Sequence, residues 1–129
     1  MCLQSGRARL NSAGKGGETV IFCSRNEAGE PAWKLVLERR KTVTRRLKPL
    51  PVGSVFAVQP GRGMKAVCRA RVKSCVRHSE WRHKYQGSML EKFEARHEGF
   101  SSWAGLVAWF EAHKIDINKT RRIAFEKVV

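Results

Sequence analysis

The chain has 129 residues and a mass of 14.7 kDa, and its 26 Lys and Arg against 11 Asp and Glu give a formal charge of +15. A chain of this length builds one hydrophobic core but not two, and its 42% hydrophobic and 29% charged residues favour a folded protein over a disordered basic tail. The charge excess attracts polyanions, so nucleic acid is the expected partner and an acidic membrane surface is the alternative.

The start of the chain predicts an extension rather than a targeting signal. Residues 1–17 are rich in Gly, Ser and Arg without a hydrophobic period, which predicts a flexible extension before a single domain at 18–129. The apolar block of roughly 7 to 15 residues that a secretory signal needs is missing there. Apolar stretches elsewhere are far shorter than the roughly 18 to 20 residues of a membrane span. We therefore expect a cytoplasmic protein that does not partner a membrane.

The first half of the domain reads as a strand, a helix, a basic loop and a hairpin. β-Branched and aromatic residues predict a strand at 19–23, and Pro31 opens a predicted helix at 31–40. The basic loop from Arg39 to Lys48 carries six cations among ten residues. A buried strand at 54–59 and a Pro-Gly turn follow. In the next strand, at 65–73, a period of two residues places one set of cations on a single face. This set is Lys65, Arg69, Arg71 and Lys73.

The second half of the domain reads as helices followed by a strand. Residues 80–97 are predicted to be partly helical, with Gly87 as the weak point. Ser101 or Ser102 caps a further helix, and the closing residues TRRIAFEKVV alternate as a strand does. This order predicts a small α+β domain whose strands curl into a partly open barrel covered by helices.

No pattern in the sequence points to a metal or another cofactor. The four cysteines form no CxxC pair, and His78, His83 and Cys75 do not match the spacings of zinc ligands. The oligomeric state is left open, with a monomer favoured.

The segment ERRKTVTRRL resembles the signature of the ASCH family, a branch of the PUA-like fold. The signature GxKxxExR aligns its Gly with Arg39, its Lys with Lys41, its Glu with Thr44 and its Arg with Arg46, so two positions match and two differ. The string is similar to the KTxTxR variant of this family. Downstream, HEGFSSWAGLVAWF resembles the second motif of the family, in which an acidic residue, here Glu98, precedes Gly and an aromatic residue.

The resemblance covers roughly residues 20–129. It implies a small PUA-like, partly open β-barrel with a cleft and with an RNA-related role, either RNA binding or action on nucleosides. Some bacterial members of the Thr-containing variant are amidohydrolases that remove the acetyl group of N-acetylated cytidine with a Lys, a Thr and a Glu. Residue by residue, the resemblance places these roles on Lys41, Thr44 and Glu98.

Elementary chemistry gives these three residues compatible roles in amide hydrolysis. Thr44 offers a hydroxyl nucleophile, and Lys41 is a base for it when neighbouring arginines and burial depress the pKa of the amine. Glu98 then protonates the departing amine or positions a water, and Arg46 holds the oxyanion or the base. In extended backbone Lys41 and Thr44 point to opposite faces, so this mechanism requires a turn or bulge between them.

Two alternatives stay open, an RNA-binding module without catalysis and a ribonuclease. Cations in the basic loop and on the strand can neutralise several phosphates at once. Trp81 and Tyr85 lie among cations and are candidates to stack on bases, whereas Trp33 and Trp103 have the helical spacing of core residues. The predicted residues for binding RNA or substrate are Arg40, Arg45, Arg46, Lys65, Arg69, Arg71, Lys73, Trp81 and Tyr85.

Overall fold

A computed structural model describes residues 18–128, so the predicted extension at 1–17 lies outside the described residues. Along the described chain, three consecutive strands are followed by three consecutive helices, and a 3-10 turn at Ile117–Lys119 precedes the last strand. The elements are β1 (Thr19–Ile21), α1 (Ala32–Leu37), β2 (Val43–Arg46), β3 (Val55–Gln59), β4 (Cys68–Arg77), α2 (His78–Lys84), α3 (Ser88–Glu98), α4 (Trp103–Ala112) and β5 (Arg121–Val128).

The strands form one sheet in the order β1-β3-β4-β5-β2. β1 runs parallel to β3, and the other neighbouring pairs are antiparallel. The sheet curls around three aromatic rings, Phe22, Phe56 and Phe125, whose centroids lie 5.6 to 6.2 Å apart. Helix α1 covers this core, since Ala32 and Val36 belong to the same buried cluster. The mixed architecture predicted from the element order is confirmed.

Strand β2 lies inside the segment that the sequence predicted to be a basic loop, so that part of the prediction is wrong. The antiparallel register pairs Thr44 with Ile123 and Arg45 with Arg122. Directly paired residues share a face, so Thr44 faces the core with Ile123 while Arg45 faces away from it. We call the face of the sheet away from the core the outer face.

Strand β4 begins and ends later than the predicted strand at 65–73. It starts at Cys68, which leaves Lys65 exposed in the preceding loop. The register with β5 shifts between Val72 and Ser74, so Lys73 is the extra residue of a β-bulge.

The bulge changes which residues of β4 face outward. Val72 pairs with the core residue Phe125 before the bulge, and Cys75 packs on the core after it. The outer face therefore carries Arg69 and Arg71 before the bulge and Ser74 and Val76 after it. Arg69 and Arg71 therefore share one continuous surface with the final residues of β4.

Glycine and serine residues set several of the helix boundaries. Gly87 separates α2 from α3 with φ +112°, as its weak helix propensity predicted, and Gly99 ends α3 in the left-handed region. The Ser102 hydroxyl accepts a hydrogen bond from the Gly105 amide and caps α4. No helix within residues 18–128 combines the length and hydrophobicity needed to cross a lipid bilayer.

Candidate functional site

The turn after α1 positions Lys41. The amides of Arg40 and Lys41 both bond to the Leu35 carbonyl, at 2.8 and 3.0 Å. Between the helix and Lys41, Arg39 adopts a left-handed conformation with φ +65°. This is the position that the ASCH signature gives to Gly, a residue that enters this region at little cost. Arg39 therefore adopts the conformation that the turn requires, at a cost in backbone strain.

The Lys41 ammonium is buried beside the end of α3. It donates hydrogen bonds to the carbonyls of Val43 at 2.9 Å and Glu98 at 2.6 Å, and it lies 3.9 Å from the Glu98 carboxylate. Lys41 is 6% exposed. Burial lowers its pKa to about 8, Glu98 opposes this shift, and the charges of Arg46 and Arg45 add to it.

Arg45 joins two of the acidic residues of α3, Glu94 and Glu98. Glu94 and Glu98 lie one helical turn apart, so both carboxylates project from the same face. Arg45 Nη1 lies 2.6 Å from Glu98 Oε1 and 2.7 Å from Glu94 Oε2, and the Arg45 side chain has 0% exposure. Its guanidinium carbon also lies 4.9 Å from the centroid of the Trp81 ring. Arg45 is therefore fixed by ion pairs and by an aromatic ring at once.

Arg122 extends this cluster along the outer face of the sheet. Its Nε and Nη2 atoms donate to the two oxygens of Glu94, at 2.6 and 3.0 Å. Burial opposes ionisation of Glu94, but the bonds from Arg122 and the charge of Arg45 hold its pKa below the usual value. Five side chains thus form an ion-pair chain, in the order Arg122, Glu94, Arg45, Glu98 and Lys41.

The ion-pair chain has more cations than anions. Lys41, Arg45 and Arg122 face the carboxylates of Glu94 and Glu98, which leaves an excess of one positive charge. Arg45 Nη2 is buried without a hydrogen-bond partner. An unpaired buried donor costs free energy, so this end of the guanidinium is suited to an acceptor from a bound molecule or water.

His78 packs against the same guanidinium and stays neutral. Arg45 Nε donates to His78 Nδ1 at 2.9 Å, so this ring nitrogen is the acceptor. Burial, with the charges of Arg45 and Arg82, lowers the pKa of His78 to about 4. His78 therefore helps to hold Arg45 in place.

Thr44 and Arg46 lie on the core side of β2. Thr44 is 6% exposed. Arg46 lies over the Phe22 ring at 4.8 Å, and its Nη2 donates to the Ile21 carbonyl at 2.8 Å. Burial lowers the pKa of Arg46 to about 10, and the charge of Glu98 opposes this shift. The structure thus joins Lys41, Arg45 and Glu98 by direct contacts and places Thr44 on the opposite face of β2 from Arg45.

The remaining predicted cations lie on the surface. Arg69, Arg71 and Lys73 are exposed along β4, and Arg71 lies 3.9 Å from Glu126 on the neighbouring strand. Arg40 does not reach the ion-pair chain, because its guanidinium bonds to Glu30 at 3.0 Å and lies 3.4 Å from Glu38.

The two predicted stacking residues differ in exposure. Trp81 is 7% exposed and Tyr85 is 45% exposed. Trp81 packs between Arg45 and the Trp103 ring, whose centroid lies 6.1 Å away. Both residues line an open groove of about 800 Å³ between α2 and the outer face of the sheet, which we call the α2 groove. Its walls include Ser74, Val76, Trp81, Lys84, Tyr85 and Arg122.

Sequence reasoning did not single out Glu94, Arg122 or the pairing of His78. The four-residue spacing of Glu94 and Glu98 is a signal for a shared helix face. The alternation in β5, with Ile123 on the core side, likewise assigns Arg122 to the outer face.

Comparison with known proteins supports the fold, through one solved structure. No protein-family model matches the chain, and no curated protein matches it. Among solved structures, the chain is similar to the ASCH domain from Lactobacillus crispatus JV V101, with a TM-score of 0.53 and 20% identity over 84% of this chain and 77% of that chain. The similarity confirms the predicted α+β fold, a small PUA-like, partly open β-barrel with covering helices. The protein has the fold of an ASCH domain.

Proposed function

We propose that the protein binds RNA, with the outer face of β4 as the main contact surface. The observation that carries this proposal is that exposed Arg69 and Arg71 project from the outer face and are followed by exposed Lys73 in the bulge, in a chain of charge +15. Side chains two residues apart on a strand are spaced by about 6.6 Å, a repeat that suits successive phosphates of an extended nucleic acid strand. Each phosphate that a cation neutralises releases counterions, which supplies the binding free energy.

Reversal of single charges tests the proposal. We expect Arg69→Glu to weaken the binding of a fluorescent unstructured RNA by about tenfold, measured by anisotropy at 0.1 M salt. Lys34→Glu makes the same charge change on α1, which covers the other face of the sheet, and it should alter the affinity far less. Equal losses in the two variants would show that net charge, and not this surface, governs binding.

A second candidate function is hydrolysis of the acetyl amide of N-acetylated cytidine at Lys41. The observation that favours it is a buried amine with its pKa lowered to about 8, 3.9 Å from a carboxylate. Perturbed groups of this kind are common at catalytic sites. Glu98 Oε1 already accepts a hydrogen bond from Arg45. In this proposal Lys41, and not Glu98, therefore returns the proton to the departing amine.

The proposed reaction runs through an acyl-enzyme. Neutral Lys41 takes the proton of the Thr44 hydroxyl, whose oxygen attacks the acetyl carbon. Arg46 stabilises the oxyanion, and collapse breaks the C–N bond as the Lys41 ammonium returns its proton to the cytidine nitrogen. Water then hydrolyses the acetyl-threonine ester, with Lys41 as base, and acetate leaves. The balance is acetylcytidine plus water to cytidine, acetate and a proton.

Chromatography of acetylcytidine after incubation tests this reaction. Lys41→Ala and Thr44→Ala should each lower the rate by about a hundredfold or more, whereas Lys34→Ala on the exposed side of α1 should not. The rate should rise with pH through about 8 as Lys41 becomes neutral. Absence of turnover by the wild type, or turnover in both site variants equal to that of the wild type, would reject hydrolysis and leave the binding proposal intact.

A further inference from the structure

The α2 groove lies at the end of the cationic row on the outer face. Ser74 and Val76 line the groove, and Arg69 and Arg71 precede them on the same face of β4. The bulge at Lys73 produces this continuity, because without it Cys75 and not Ser74 would face outward. A ligand that contacts these cations along β4 can therefore extend into the groove.

The groove offers the contacts that a nucleobase uses. Its volume of about 800 Å³ accommodates a planar ring system with room to spare. Tyr85 presents an aromatic ring that is 45% exposed, and the centroid of Trp81 lies 6.0 Å behind it. Trp81 supports Tyr85 and does not itself offer a free face, because the Arg45 guanidinium lies over its ring. Stacking on an exposed tyrosine is open to any base, since every base has a π-face.

Polar side chains line the same groove as this ring. Arg122 lines the groove, and Glu94 holds its guanidinium through two hydrogen bonds. Ser74 contributes a hydroxyl from the strand, and Lys84 contributes a cation from the helix side. The lining also includes Glu80, whose carboxylate can accept hydrogen bonds from the amino group of a base. A groove with an exposed aromatic ring, hydrogen-bonding groups of both kinds and two cations matches a base attached to a phosphodiester backbone.

We propose that the outer face of β4 and the α2 groove together form a track for single-stranded RNA, in which phosphates contact Arg69, Arg71 and Lys73 and one unpaired base enters the groove and stacks on Tyr85. The inference deepens the proposed RNA binding and rests on it. It specifies a single strand, because a base within a duplex keeps its faces stacked on its neighbours and cannot enter a groove without being extruded.

Anisotropy with a fluorescent single-stranded RNA and its duplex form tests the track. Tyr85→Ala should weaken single-strand binding by about 5- to 100-fold, and Tyr85→Phe should stay within about twofold of the wild type. Phe93→Ala removes an aromatic ring of similar exposure that does not line the groove, and it should bind like the wild type. Far-UV circular dichroism establishes that each variant is folded. The duplex should bind more weakly than the single strand.

Photo-crosslinking of RNA that carries bromouridine adds a measurement at the residue level, with the expected adduct at Tyr85. Adducts confined to residues outside the groove would overturn the track, and so would unchanged affinity in Tyr85→Ala when Arg69→Glu loses binding. In that case the proposed RNA binding stands and the groove inference alone fails. If the wild type binds no RNA, the proposed function itself fails.

Discussion

Replacement of Arg45 by Met removes the centre of the ion-pair chain without leaving a large cavity. Arg45 has 0% side-chain exposure and contacts Glu98 and Glu94 at 2.6 and 2.7 Å. Loss of one partner from a buried ion pair costs about 3 to 5 kcal/mol, because the remaining charge is buried without compensation. Lys41 and Arg122 still lie near the two carboxylates, so we expect the lower end of this range for Arg45→Met.

Urea unfolding followed by circular dichroism measures this loss of stability. A cost of about 3 kcal/mol corresponds to a fall in Tm of about 10 to 15 °C for a chain of this size. Arg40→Met is the matched control, because Arg40 pairs with Glu30 and Glu38 at the surface and its replacement should leave stability nearly unchanged. Equal stabilities for Arg45→Met and Arg40→Met would refute the assignment of the ion-pair chain as a buried structural unit.

Two further predictions concern Lys41 and the turn before it. Burial lowers the pKa of Lys41 from 10.5 to about 8, so between these pH values the unfolded chain holds a proton that the folded chain has lost. The free energy of unfolding should therefore rise with pH in this window. Urea titrations at pH 8 and pH 10 measure this rise, and Lys41→Met should remove the part that Lys41 contributes. The same rise in Lys41→Met and in the wild type would contradict a lowered pKa for Lys41 in the folded chain. Arg39 has φ +65°, so Arg39→Gly should raise the free energy of unfolding by up to about 1 kcal/mol, and a loss of stability would show that the turn is unstrained.

The sequence predicted the elements whose signals are local. Gly87 breaks the helical segment and Ser102 caps α4 because backbone conformation and a single hydroxyl decide these boundaries. The alignment of Arg39 with a signature Gly agrees with the left-handed turn in the structure. Strand β2 was not predicted because it has only four residues, two of which are arginines, so it shows no clear alternation of apolar and polar side chains. Its pairing with β5 also depends on residues about 80 positions away.

The candidate site was predictable in part, and the rest depends on packing. Lys41 and Glu98 were identified from motifs, and the structure places them 3.9 Å apart although 57 residues separate them. Glu94 and Arg122 could not be paired from the sequence, because their contact requires α3 to pack against the outer face of the sheet. Trp81 lies in a polar segment, yet it is buried because Arg45 and Trp103 cover its ring. Local polarity could not indicate this burial.

The salt dependence of RNA affinity measures how many phosphates the cations of β4 contact. A single strand that contacts Arg69, Arg71 and Lys73 should give a slope of about −2 or steeper for the logarithm of affinity against the logarithm of salt concentration. The double variant Arg69→Ala with Arg71→Ala should reduce the steepness of that slope by about 1.4. A wild-type slope near zero, or the same slope in the double variant, would contradict RNA binding along β4.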